Sequence, residues 1–181
     1  MRTRARNAWS HALRRFAHST DGSSTVEFVI VVPIVLSLLI MGAEAGWTAV
    51  QRVALERAMD LAVRDVRLGQ LPPNTTQNEF RKRVCDRSIM LNDCHERLLL
   101  EMRSINTNTW AFPDQRNECI DLAQNITPVT AFTVGSGNSV MYLRACYLVR
   151  PIFPTTTLGL QLPLDESGMF ALITTTGFVN E

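Results

Sequence analysis

The residue that first demands a chemical explanation is Glu27, a carboxylate set at the head of the apolar run Val26-Glu27-Phe28-Val29-Ile30-Val31-Val32-Pro33. An ionisable side chain in a stretch of membrane-crossing length is costly and needs a partner or a purpose. One local answer is a capping box: Ser24-Thr25-Val26-Glu27 fits S-x-x-E, with Ser24 at the N-cap and Glu27 reaching back to its amide. The second chemical set is the four cysteines Cys85, Cys94, Cys119 and Cys146. Cys85 and Cys94 stand close in sequence across a helix-end turn, which favours a local disulfide and leaves Cys119 and Cys146 to pair by elimination. Four cysteines nonetheless allow three connectivities. A metal site built from Cys85, Cys94 and His95 is disfavoured, because C-x-x-C spacing is missing and adjacent ligands are awkward. Nucleophilic or phosphoryl chemistry finds no Gly-x-Ser-x-Gly, no Ser-x-x-Lys and no glycine-rich phosphate loop. His11 and His18 sit in the first 22 residues, leaving His95 as the only histidine beyond them. No catalytic residue, cofactor or metal is expected.

The elements that must position these groups begin with a long helix. Val26 to Trp47 supplies 22 residues, about 33 Å of helix, enough to cross the hydrocarbon core. Pro33 removes a backbone hydrogen bond and should kink the helix near Val29. Gly42, Ala43, Ala45 and Gly46 form a narrow surface suited to close helix–helix contact, and Trp47 falls where an interfacial aromatic belongs. Glu44, about 26 Å along the axis from Glu27, is expected near the outer interface. There it would be solvated by snorkelling or hydrogen-bonded among its small neighbours rather than act as a proton relay. Helical period continues to Leu68 through the stripe Leu55, Met59, Ala62 and Val66, until Gly69 and Pro72-Pro73 stop it.

Beyond that hinge, Gln77 to Arg87 reads as a short helix. Leu98 to Arg103, Val140 to Arg150 and Met169 to Val179 read as strands with one buried face. In the middle strand Met141, Leu143, Ala145, Tyr147 and Val149 would face the core, and Tyr142, Arg144, Cys146 and Arg150 would face away. The fold class expected is α+β, a long N-terminal helix continuing into a small domain with a short helix and an antiparallel sheet. The chain divides into a basic leader over 1–22, a membrane and stem helix over 23–69, and a domain over 70–181.

Net charge is +1 over 181 residues, but five arginines stand against one aspartate in the first 22. The remainder is therefore acidic, with no basic patch to argue for nucleic acid. Arginine-rich flanks stay cytoplasmic, so the cysteines would face an oxidising compartment, the periplasm of a bacterium.

Several of these residues together resemble the TadE-like proteins of Tad (tight adherence) pilus systems. They are Gly22-Ser23-Ser-Thr-Val-Glu27-Phe28, Val32-Pro33-Ile34, Gly42-Ala-Glu44-Ala-Gly46, Arg67-Leu-Gly69-Gln70, Val84-Cys85, Asp93-Cys94, Tyr147-Leu-Val-Arg-Pro151 and Gly177-Phe-Val-Asn-Glu181. The pair Cys119 and Cys146 departs from that pattern. The resemblance implies an inner-membrane, non-enzymatic minor pilin or pseudopilin, cut by a prepilin peptidase between Gly22 and Ser23. It implies that Glu27 and Phe28 serve assembly, Glu27 by pairing with the new Ser23 amine of a neighbouring subunit. The partners implied are the major pilin, other minor pilins, the inner-membrane assembly platform and membrane lipid. A membrane-anchored periplasmic binding domain, uncleaved and never polymerised, is the alternative.

Overall fold

A computed structural model describes residues 23–72, 74–112, 119–120, 130–135 and 137–180. Helix α1 spans Ser23–Arg67 and runs on through Pro33. Its end follows from one residue. Gly69 takes φ +63, and its amide and that of Gln70 donate to the carbonyls of Val66 and Asp65 at 3.0 and 2.9 Å. This Schellman arrangement satisfies carbonyls the helix would otherwise leave unpaired.

Two compact units share the helix. One ends at Met41; the other begins at Gly42 and runs to the C-terminus. In the first, the apolar side chains of α1 face outward, with Phe28 66% and Leu39 64% exposed. In the second, Leu55, Met59, Ala62 and Val66 are almost wholly buried.

Helix α2 spans Gln77–Asp86 and opens with a capping box between Thr76 and Glu79. The Thr76 amide, then its hydroxyl, lowers the pKa of the exposed Glu79 carboxyl. A single turn, α3 (Cys94–Arg97), leads into β1 (Leu98–Ile105), followed by β2 (Val140–Val149), the short α4 (Thr157–Gln161) and β3 (Phe170–Val179). The strands form an antiparallel sheet in the order β1-β2-β3. Long helix, short helices and antiparallel sheet make an α+β protein.

One face of the sheet carries Leu98, Leu100, Met102, Met141, Leu143, Ala145, Tyr147 and Val149, which pack with the buried stripe of α1 and with Phe80 and Val84 of α2. The other face differs from the sequence expectation. Arg144 and Cys146 do point away from this core, but both are buried. Cys146 belongs to a second buried cluster with Leu99, Ile120, Leu148 and Met169, and Arg144 lies beside Glu101. The physical reason is the link between Cys119 and Cys146, which holds Ile120 against that face.

Candidate functional site

The sequence-predicted residues fall into an N-terminal set on α1 and a cysteine set in the domain. Gly22 lies outside the described residues, and Ser23 is the first residue of α1. Glu27 is exposed in the second turn, between the outward-facing Val26 and Phe28. A methyl group added at Gly42 or Gly46 would meet nothing within 4 Å, so both present bare helix backbone. Cys85 joins Cys94 with Cα atoms 5.6 Å apart, tying the last turn of α2 to the first of α3. Cys119 joins Cys146 with Cα atoms 5.8 Å apart.

Glu44 is where structure departs most from expectation. It is 1% exposed, neither snorkelling nor bonded to its small neighbours. The Ile152 amide donates to both carboxylate oxygens at 3.0 and 3.1 Å, and the Phe153 amide donates to Oε2 at 2.9 Å. Glu44 thus clasps the turn that leaves β2 and fixes it to α1. Burying a carboxyl group is tolerable only with such bonds. The turn is itself closed by local bonds. Thr156 donates its amide and its hydroxyl to the Phe153 carbonyl, and accepts from the Gly159 amide at 3.2 Å. Gly159 is required there, because a Cβ would stand 2.6 Å from the Phe153 carbonyl oxygen.

The far end of α1 is held by a second carboxylate. Asp65, 7% exposed, pairs with Arg87 at 2.5 Å and Arg83 at 3.7 Å, while Arg87 also donates to the Leu61 carbonyl at 2.7 Å. On the covered face of the sheet Glu101 pairs with Arg103 and, at 3.9 Å, with Arg144. Tyr147 donates its hydroxyl to the Asn92 carbonyl at 2.8 Å, and burial raises the pKa of that phenol.

These charged groups hold elements together. An open groove of about 470 Å³ lies between Asp60, Arg64 and Arg67 of α1 and Thr176–Phe178 of β3, with no histidine or cysteine in its lining. Among the described residues no group of three or more histidines, cysteines, aspartates or glutamates could hold a metal. One helix is long and apolar enough to cross a membrane, with none of its apolar window buried.

Residues 22–64 match the family model described as TadE-like protein. The helix-bearing segment is TadE-like. Its match begins at Gly22, takes in Glu27, Pro33, Gly42, Glu44 and Gly46, and ends three residues before α1 does. It associates the chain with the Tad pilus machinery. The resemblance drawn from the sequence reached to residue 181, whereas this match leaves the cysteines and the sheet outside it. No curated protein and no solved structure matches the chain.

Proposed function

We propose that this chain is a minor pilin, or pseudopilin, of a Tad-type pilus. It sits in the bacterial inner membrane with its N-terminus cytoplasmic and its disulfide-bearing domain periplasmic. The observation that carries this reading is the TadE-like match starting at Gly22, on a helix whose first part exposes mostly apolar side chains and a single charged group, the Glu27 carboxylate. Prepilin peptidase would cut between Gly22 and Ser23, placing a new α-amine at the start of α1. Glu27 is one helical turn further on. In lipid the amine and the carboxylate are each costly alone, by several kcal/mol. Pairing Glu27 of one subunit with the Ser23 amine of the next removes both costs, and does so only at one axial register. Phe28 and the bare backbone at Gly42 and Gly46 would meet neighbouring helices of the major pilin or other minor pilins.

The test is co-purification with the pilus machinery, wild type against Glu27→Ala. The domain buries its own core from Leu55 onward, so the variant should keep its fold, disulfides and membrane level. Recovery with the machinery should fall. Equal recovery would leave Glu27 without a part in assembly.

A further inference from the structure

We propose that the turn following β2, residues 151–161, is a lipid-contacting element. It lies against the outer membrane surface beside the point where α1 emerges, and Glu44 holds it there. The inference rests on reading α1 as membrane-crossing.

Four observations carry it. From Pro151 to Leu164 the chain PIFPTTTLGLQLPL contains no charged residue, the composition of a segment that need not be solvated by water. Several of its apolar side chains are nonetheless outside: Ile152 is 52%, Phe153 38% and Leu160 74% exposed. Glu44, which binds the amides of Ile152 and Phe153, follows the apolar run of α1 by only a few residues. The side chains displayed beside it are therefore at the height of α1 where hydrocarbon gives way to headgroups. Trp47, 36% exposed and one turn beyond Glu44, is the residue type that settles at that boundary.

The geometry also explains why a carboxylate is used. The turn must present apolar side chains outward while its backbone amides face the helix. Those amides need an acceptor, and Glu44 is the one they have among the described residues. Glu44 supplies both bonds from a single side chain. The Thr156 and Gly159 contacts then fold α4 back on the same turn, so that Leu160 joins the exposed set. A lipid surface suits such a patch better than a protein partner does. The patch is tied to α1 at Glu44, a few residues past the apolar run, and its own segment carries no charge with which to recognise a protein partner.

The experiment uses the full chain reconstituted in phosphatidylcholine–phosphatidylglycerol vesicles with or without brominated acyl chains, which quench nearby tryptophan fluorescence. Three single-tryptophan proteins are compared, with the other native tryptophans changed to phenylalanine. One carries Phe153→Trp, one carries Leu36→Trp in the apolar run, and one retains Trp110. Trp110 follows β1 past Ile105, which pairs with Val140 at the sheet end opposite Val149 and the turn. The expected result is strong quenching at position 36, quenching of at least about twofold at position 153, and none at Trp110. Adding Glu44→Gln to the Phe153→Trp protein should reduce its quenching while leaving that at position 36 unchanged. Ile152→Trp gives a second reading if Phe153→Trp folds poorly. Quenching at 36 with positions 152 and 153 as unquenched as Trp110 overturns the proposal and leaves the patch for a protein neighbour. No quenching at position 36 overturns the membrane-crossing reading and the proposal with it.

Discussion

Replacing Glu44 by alanine should loosen the domain at the root of α1. The wild-type carboxylate takes three short contacts from two backbone amides, Ile152 and Phe153, at 2.9 to 3.1 Å. Alanine leaves both amides without that acceptor. Each orphaned donor costs about 1–3 kcal/mol when water cannot reach it, and the exposed side chain of Ile152 lets water recover part. The net loss should be about 2–4 kcal/mol. For a domain of this size that is a fall in Tm of roughly 6–12 °C. Glutamine keeps one acceptor for Phe153 but turns an amino group toward the Ile152 amide, so it should lose about half as much. The assay is thermal unfolding of the full chain in detergent, followed by near-ultraviolet circular dichroism, with amide hydrogen exchange read at residues 152 and 153. Exchange at those two amides should accelerate in alanine and, less, in glutamine. Wild-type Tm and protection in Glu44→Ala would refute the clasp; wild-type behaviour in Glu44→Gln would refute the need for two carboxylate oxygens.

Other expectations follow from the same packing. Burial, reinforced by Asp93 and opposed by Arg97, raises the Tyr147 phenol above its ordinary value. The fold therefore holds the neutral form, and this contribution is complete below about pH 10 and lost as pH rises through the folded value. Tyr147→Phe should cost about 1 kcal/mol at neutral pH, by orphaning the Asn92 carbonyl, and should flatten the alkaline decline in urea-melt stability. Parallel declines in the two proteins would contradict this. Removing the Cys85–Cys94 link with paired serines should cost about 2–3 kcal/mol, and removing Cys119–Cys146 about 3–4, because it closes 27 positions rather than 9. Only the second removal should increase hydrogen exchange at Leu99 and Leu148, which the Ile120 segment covers.

Much of the fold was legible because its signals are local. The α1 stripe at Leu55, Met59, Ala62 and Val66 has helical spacing, Gly69 supplies the left-handed stop, and the first half of β2, Met141-Tyr142-Leu143-Arg144-Ala145, alternates in residue type. The burial of the second sheet face was less legible, since Arg144 and Cys146 read as an outward row until a distant disulfide covers it. Apolar residues on both faces, as in Leu98-Leu99-Leu100 and Ala171-Leu172-Ile173, were the available hint. Helix α4, one turn long, has too few residues for a periodic signal. The Glu44 clasp was illegible for a stricter reason. Its donors are backbone amides more than 100 positions away, and an amide carries no mark in the sequence. Glu27 and Gly22 stand out by type and spacing, but the groups proposed to meet them belong to a peptidase and to a second subunit.

The central proposal, a processed pilin-like subunit, is tested most directly by the intact mass of the protein extracted from its own membrane. Cleavage after Gly22 predicts a mature chain beginning at Ser23, with both disulfides intact, and a Gly22→Val protein that stays full length. A native chain retaining residues 1–22, or one cut after the apolar run, would contradict it.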